Sequence, residues 1–463
     1  MTAPIGSTAD LRGQRTVVLG LARSGAAAAR MLSDAGARVT IYDRRPASDL
    51  ADAVAGLGER PIDLALAAPE ADVRVLLASA DLVVTSPSIS ARFPTTDEWL
   101  RDALRQTESR GTPVIGEVDL FLRLTRSRVL AVTGTKGKTT TTALIGAILA
   151  TGEVPHLVGG NIGTPLIEQV DQLGPHDWAV LELSELQLPT ISRGADVAVY
   201  TNIGSDHLDR HGSVEAYREV KARLARLTVT RGTVVLNADD PGCRELGASL
   251  TGDVRHYGLD DRSLAASADE AEIYLAGEPL MPVAEVPLPG RHMLSNVLAA
   301  AAGATLAGAT RDAVATGIRG FAGVPHRLET VAERNGVRWV NDSQATIPMA
   351  TIAALEAFGT SPIILIAGGR GKGLDYGELA DAIAARAKAA ILIGETADAL
   401  AGLVGGRTAV QRAASMEEAV ERAAGQAQPG DTVLLSPAAA SFDMFTDYAA
   451  RGEAFRAAVA ALP

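Results

Sequence analysis

One stretch of this chain admits very few conformations. Val129-Leu130-Ala131-Val132-Thr133 is a compact apolar run, followed at once by Gly134-Thr135-Lys136-Gly137 and a threonine-rich segment opening at Lys138-Thr139-Thr140. Such a run bounded by glycine predicts a buried strand, and the Thr-, Ala- and Leu-rich stretch beyond it predicts a helix over 139–150. Glycines let the backbone turn tightly and aim N–H groups at an anion, and a helix N-terminus adds partial positive charge there. The pattern is therefore strand, phosphate-binding loop, helix. Lys138 is placed to reach the terminal phosphates of a nucleotide, and the Thr139 hydroxyl to ligate Mg²⁺. Two residues separate Gly134 from Gly137, where a Walker A loop has four. A basic Gly-Thr turn without a ligand is the bland alternative; the strand before it and Gly-Lys-Thr within it weigh against that.

The same alternation of short apolar strands with Ala-rich helices runs through the chain. Strands are predicted at 15–19, 38–42, 81–85, 129–133, 178–183, 197–201, 233–236, 337–340, 363–367, 390–393 and 432–435, with helices over 25–35 and 217–227. Strands alternating with helices imply mainly parallel, doubly wound sheets. A length of 463 residues exceeds one ordinary core and suggests about three domains. The expected division is 1–110, 111–323 and 324–463, each an α/β block.

Composition excludes several function classes. Apolar content of 47% and charged content of 21% suit a globular protein. No apolar stretch reaches the roughly 20 residues a bilayer span needs, and the N-terminus carries no export signal, so a cytoplasmic protein is expected. The single Cys243 rules out an internal disulfide and a cysteine metal site. A net charge of −12 with no basic block argues against nucleic-acid binding.

Further polar clusters sit at predicted strand ends, where ligand sites of α/β sheets collect. Glu182 closes the 178–183 strand. Asp206-His207-Leu208-Asp209 follows the 197–201 strand as an acid–His–acid cluster. Lys221 lies on the 217–227 helix, where a lysine is ordinarily a solvated surface residue. Near the N-terminus, Gly20-Leu21-Ala22-Arg23-Ser24-Gly25 follows a strand and opens a helix, with Asp43 ending the next strand. This pattern is Rossmann-like, but Ala22 replaces the middle glycine of GxGxxG. A dinucleotide, another diphosphate-bearing ligand and a purely structural turn all stay open. In the last third, Arg327, Asn341-Asp342-Ser343, the basic glycine loop 368–373 and Ser436-Pro437 to Asp443 all lie beside predicted strands. Each alone reads equally as turn chemistry; their convergence points to a second substrate site.

In this order, the motifs GTKGKTTT (134–141), GGNIGTP (159–165), LELS (181–184), NIGSDHLDRHGSVEAY (202–217) with Lys221, PHRLE (325–329), NDS (341–343) and SPAAASFDMF (436–445) resemble a Mur ligase through nearly the whole chain. The resemblance is closest to the members that add glutamate. It implies a Rossmann-like N-terminal domain for a UDP moiety, a P-loop-type ATPase domain, and a Rossmann-like C-terminal domain that closes over the site. The implied enzyme is an ADP-forming ligase that joins D-glutamate to UDP-N-acetylmuramoyl-L-alanine in cytoplasmic peptidoglycan precursor synthesis, as a monomer, with ATP and two Mg²⁺ ions.

Residue by residue, the resemblance implies that Gly134, Thr135, Lys136, Gly137, Lys138, Thr139, Thr140, Asn296, Arg327 and Asp342 bind ATP, Asn296 at the adenine. Thr139, Glu182, His207 and a carbamylated Lys221 are the implied metal ligands, and Lys138, Glu182, His207 and Lys221 the catalytic set. Ser24, Asp43, Arg44, Ser86, Asn161 and Ser184 match the UDP-substrate positions. Thr346, Lys372, Ser441, Phe442 and Tyr448 match the glutamate pocket. Four features depart from the usual pattern: Gln344 stands where lysine is common, Ile347 where asparagine is, Ser86-Pro87-Ser88 in place of SPG, and Glu185-Leu186 in place of Ser-Phe. They leave L-glutamate as an alternative amino acid. Other ligases of the family, a dinucleotide-dependent oxidoreductase and a nucleotide switch are the competing readings.

Overall fold

The computed structural model describes residues 5–161, 164–204, 213–287, 291–371 and 374–462, with the backbone only at 291 and 292. The chain divides into two compact units, Met1–Phe321 and Ala322–Pro463.

The first unit carries two sheets. Strands β1 (Arg15–Leu19), β2 (Arg38–Asp43), β3 (Ile62–Leu66), β4 (Leu82–Thr85) and β5 (Val114–Gly116) are all parallel, in the order β3-β2-β1-β4-β5. Val18 packs on one face with Ala27 and Ala28 of the helix Arg23–Asp34, while Val17 and Leu19 meet Leu77 and Leu104 on the other. Burial on both faces explains why the central strands β1 and β4 are nearly continuous apolar runs rather than alternating.

The second sheet contains β6 (Arg128–Thr133), β7 (His156–Gly160), β8 (Trp178–Glu182), β9 (Val197–Tyr200), β10 (Thr233–Asn237), β11 (Val254–Leu259), β12 (Ala266–Ala268), β13 (Glu272–Leu275) and β14 (Glu278–Pro282). Their order is β14-β13-β12-β11-β10-β9-β6-β8-β7, antiparallel only through β12-β13-β14. Against it pack the helices Lys138–Thr151, Arg291–Leu306 and Arg311–Gly320. Glycine permits the contact: a Cβ on Gly317 would stand 2.8 Å from Ile148 Cα.

The second unit holds β15 (Glu329–Arg334), β16 (Val337–Asn341), β17 (Ile363–Gly368), β18 (Ala387–Ile393), β19 (Ala409–Ala413) and β20 (Thr432–Leu435) in the order β15-β16-β20-β17-β18-β19. Only β15 is antiparallel to its neighbour. Leu365 and Leu392 pack with Leu379 and Ile383 on one face; Ile364, Ile366 and Ile391 meet Val420 and Phe455 on the other.

The predicted class, three mainly parallel α/β blocks, is what the chain adopts. Predicted strands recur within about a turn of their observed ends. The hairpin β12-β13-β14 and the antiparallel β15 were not predicted, because their short segments carry no sustained apolar run. Among the described residues no helix is long and apolar enough to cross a membrane. Phe455 is fully buried and tilts against Trp339 at a ring separation of 6.3 Å. Phe455→Ala should therefore cost about 3–5 kcal/mol, read in urea as an earlier unfolding transition of Trp339 fluorescence, with Phe455→Leu losing much less.

Candidate active site

Because β6, β8 and β9 are parallel neighbours, their C-terminal ends emerge on one edge of the sheet, and the order reverses direction at β6. A cleft outside such an edge is where ligands of open α/β sheets bind. The loop 134–137 leaves β6 there. Gly134 has φ +152°, and a Cβ on it would stand 2.0 Å from Thr201 Oγ1. Gly137, with φ +86°, caps the helix Lys138–Thr151 in a left-handed conformation; a Cβ there would lie 2.2 Å from Asn296 Oδ1. Both glycines are thus demanded by a turn and by close approach. Helix geometry leaves the first-turn N–H groups, from Lys138 to Thr140, pointing out of the helix end. The Lys138 ammonium folds back to donate to the Gly134 and Thr135 carbonyls at 3.0 and 2.9 Å. Thr139 and Thr140 are buried at the helix start.

Lys221 reverses the reading of a solvated helix lysine. On the helix Val214–Thr228 it is fully buried, and its ammonium donates to Thr133 Oγ1 at 3.2 Å and to the Gly134 carbonyl at 2.9 Å. Tyr200, the last residue of β9, fixes that helix: its hydroxyl donates to the Lys221 carbonyl at 2.6 Å and accepts the Ala225 N–H at 2.9 Å. Glu182, ending β8, is buried as well. Its Oε1 accepts from Asn161 Nδ2 at 2.8 Å, while its Oε2 is buried with no hydrogen-bond partner. A buried carboxylate oxygen left without a donor suits a cation. Oxygen donors of the kind Thr139 and Glu182 present are those Mg²⁺ takes. Among the described residues no group of three or more His, Cys, Asp or Glu gathers as a metal site. The Asp206-His207-Asp209 cluster lies outside the described residues.

Asn161 links the two sheets of this unit. Its N–H donates to the Glu182 carbonyl at 2.9 Å, and its carbonyl accepts from Arg23 Nη2 at 3.1 Å. Ser184 Oγ donates to Gln187 Oε1 at 3.0 Å. In the first sheet, Gly20 makes the turn with φ +94°, and a Cβ on Gly25 would lie 1.9 Å from the Gly20 carbonyl oxygen. Two of the three glycine tasks of the Rossmann turn are present; Ala22, at φ −97°, stands in the place of the third. Ser86 is buried with Oγ 3.4 Å from the Gly20 carbonyl, and Ser24 is half-buried. Asp43 accepts the Leu21 N–H at 2.8 Å and a two-pronged contact from Arg45 at 3.0 and 2.9 Å. Burial alone would raise its carboxyl, but these hydrogen bonds outweigh it and hold the pKa at about 2. Arg44 is exposed beside it.

In the second unit, the ends of β16, β20, β17 and β18 likewise share an edge. Asp342 Oδ1 accepts the Leu328 N–H at 3.2 Å and Oδ2 the Ser436 hydroxyl at 2.8 Å. Burial pushes its carboxyl up to about 6 against those bonds. His326 and Leu328 both have left-handed backbones, φ +62° and +45°, on either side of the exposed Arg327. Strain of this kind costs about 1–3 kcal/mol per residue and collects at functional sites. Ser441 is buried, Thr346 half-buried, and Phe442 and Tyr448 are exposed at 64% and 36%. Lys372 lies outside the described residues. Sequence reasoning missed Arg451, fully buried, whose guanidinium donates to Ser343 Oγ at 3.0 Å, the Ser343 carbonyl at 2.9 Å and the Ala439 carbonyl at 3.0 Å. It also gave no role to Thr201 and Asn202, although the Thr-Asn-Ile-Gly segment was visible as a motif.

Comparison with known proteins follows the same lines. A family model described as the Mur ligase middle domain matches residues 132–304, and one described as the Mur ligase glutamate ligase domain matches 326–439. The chain is 39% identical to the UDP-N-acetylmuramoylalanine–D-glutamate ligase of Solibacter usitatus, across 96% of this chain and 97% of that one. It is 41% identical to the enzyme of the same name from Anaeromyxobacter dehalogenans, across 96% and 97%. Among solved structures, UDP-N-acetylmuramate–alanine ligase MurC from Thermotoga maritima superposes with a TM-score of 0.56 at 20% identity, covering 96% of this chain and 98% of that one. MurF from Acinetobacter baumannii superposes at 0.54 with 17% identity, covering 88% and 84%. At those identities the structures speak for the fold alone.

Two outcomes test this geometry. Gly137→Ala, which meets both a left-handed backbone and Asn296, should abolish nucleotide binding measured by fluorescence titration while leaving the fold intact by circular dichroism. Asp342→Asn should stabilise the protein increasingly with pH. A raised carboxyl contributes stability below its unfolded pKa and loses it as pH rises through the folded value. The two proteins should therefore differ least below pH ~4 and most above pH ~6 in denaturation midpoints.

Proposed function

The chain belongs to the Mur ligase family, and we propose that it joins D-glutamate to UDP-N-acetylmuramoyl-L-alanine with cleavage of ATP to ADP and phosphate. The observation that carries the reading is the convergence of the 134–139 loop, Glu182 and Lys221 on one sheet edge, in a chain about 40% identical to ligases of that name. The proposed domain division is 1–110 for the UDP substrate, 111–323 for ATP and 324–463 for the amino acid. The proposed setting is a cytoplasmic monomer in peptidoglycan precursor synthesis.

In the proposed reaction, the alanyl carboxylate attacks the γ-phosphorus of ATP; an O–P bond forms, the bond to ADP breaks, and an acyl phosphate results. The neutral glutamate amine then attacks the acyl carbon, and the tetrahedral intermediate expels phosphate, which takes up one amine proton, as the amide forms. Two anions must be brought together in the first step, so charge placement is the main demand on the protein. Lys138 and the first-turn N–H groups are assigned to the phosphates. Thr139, Glu182, His207 and a carbamylated Lys221 would hold two Mg²⁺ ions, which when bound neutralise the phosphates and the developing charge. Carbamylation joins the Lys221 nitrogen to the carbon of CO₂ and releases two protons from the ammonium, turning a cation into an anionic ligand. The buried orphan oxygen of Glu182 supports this assignment. Asn296, Arg327 and Asp342 are assigned to ATP; Ser24, Asp43, Arg44, Ser86, Asn161 and Ser184 to the UDP substrate; Thr346, Lys372, Ser441, Phe442 and Tyr448 to glutamate.

The test is phosphate release with the purified protein, ATP, Mg²⁺ and the acceptor. Release should require D-glutamate; release with L-glutamate instead would overturn the stereochemistry, the point at which Gln344 and Ile347 depart from the family pattern. Lys221→Ala should abolish release, and added bicarbonate should leave it inactive, because no amine remains to carbamylate.

A further inference from the structure

The phosphate loop is short and glycine-flanked, so something outside it must hold its apex. Asn202, just past β9, makes three hydrogen bonds to it. Its carbonyl accepts the Thr135 N–H at 2.9 Å, its Oδ1 accepts the Lys136 N–H at 2.9 Å, and its Nδ2 donates to the Lys136 carbonyl at 3.0 Å. Thr201 Oγ1 donates to the same carbonyl at 2.6 Å. One planar amide therefore grips the Lys136 residue on both its donor and its acceptor side, as a neighbouring strand would.

The consequence concerns which N–H groups can meet an anion. Those of Thr135 and Lys136 are committed to Asn202, which leaves the left-handed Gly137 and the first turn of the helix to face the phosphates. The Thr135 hydroxyl, close to the apex, receives the Gly204 N–H at 3.0 Å, so the loop is tied to the segment after β9 at a further point. Free of those ties, two flexible glycines would let the loop sample many conformations, and ordering it would weaken binding.

We propose that Asn202 is a positioning residue for the nucleotide: it sets ATP and ADP affinity by pinning the Lys136 peptide, and does not act on the acceptor or the amino acid. The proposal rests on the ATP reading of the loop and adds to it a residue outside the loop.

The experiment uses the full chain and two substitutions, Asn202→Ala and the isosteric Asn202→Asp. In Asn202→Asp, one oxygen still accepts the Lys136 N–H while the other opposes the Lys136 carbonyl, acceptor against acceptor. Both variants should bind MgADP about 10- to 100-fold more weakly, Asn202→Ala through two lost hydrogen bonds and Asn202→Asp through one lost bond and the repulsion that replaces it. KM for ATP should rise in parallel, KM for the acceptor and glutamate should stay within about twofold, and the thermal midpoint should barely move. Thr201→Val, which removes one donor to the Lys136 carbonyl, should show the same split at a smaller, roughly threefold size. Asn202→Asp with wild-type MgADP affinity overturns the proposal, as does an equal rise in every KM. Wild-type protein that binds no MgADP overturns the ATP reading itself, and this proposal with it.

Discussion

The contact between the ends of β6 and β9 is the constraint on which the site depends. Gly134 approaches Thr201 and Asn202 so closely that no side chain fits, and this approach exists because the two strands are parallel neighbours. Three consequences follow from it. The Lys136 peptide is gripped by Asn202, the Gly134 carbonyl is turned toward Lys221, and the helix beginning at Lys138 points its N-terminus out of the sheet edge. A parallel sheet alone would bring the strand ends together; the glycine decides how near the backbones come.

Two buried cations donate to neutral groups. Lys221 donates to a hydroxyl and a carbonyl, and Arg451 to two carbonyls and a hydroxyl. Burial pulls the Arg451 guanidinium down to about 10 and pushes the Asp342 carboxyl up to about 6. Burying a charge is expensive, and hydrogen bonds to backbone dipoles offset part of that cost while fixing geometry. Arg451 thereby ties the Asn341-Asp342-Ser343 turn to the loop after β20.

Much of this was legible in the chain itself. The β6 strand, its glycines and the helix beyond were readable because each is a local pattern: an apolar run, a turn residue, a helix start. The parallel class followed from the alternation of such patterns. Lys221 was not legible locally, since a lysine on an amphipathic helix carries no mark of which face is buried. Family motifs pointed to it, and the packing of Tyr200 against its helix supplies the reason. Asp43 was legible as a strand-end acid, whereas the contacts of its oxygens with Leu21 and Arg45 were not. The hairpin β12-β13-β14 escaped because strands of three to five residues carry too little periodicity.

By itself, then, the sequence determined where backbone turns, strands and helix starts had to fall, because glycine conformational freedom and apolar runs act over a few residues. It determined the class of chemistry as well, since Gly-Lys-Thr after a strand leaves little but a phosphate site. Only the tertiary structure decided which polar groups are used up by the protein and which remain for a ligand. The physical reason is that hydrogen-bond satisfaction is a property of spatial neighbours. Glu182 keeps a buried oxygen without a partner, while Asn202 spends its amide on the loop 66 residues before it.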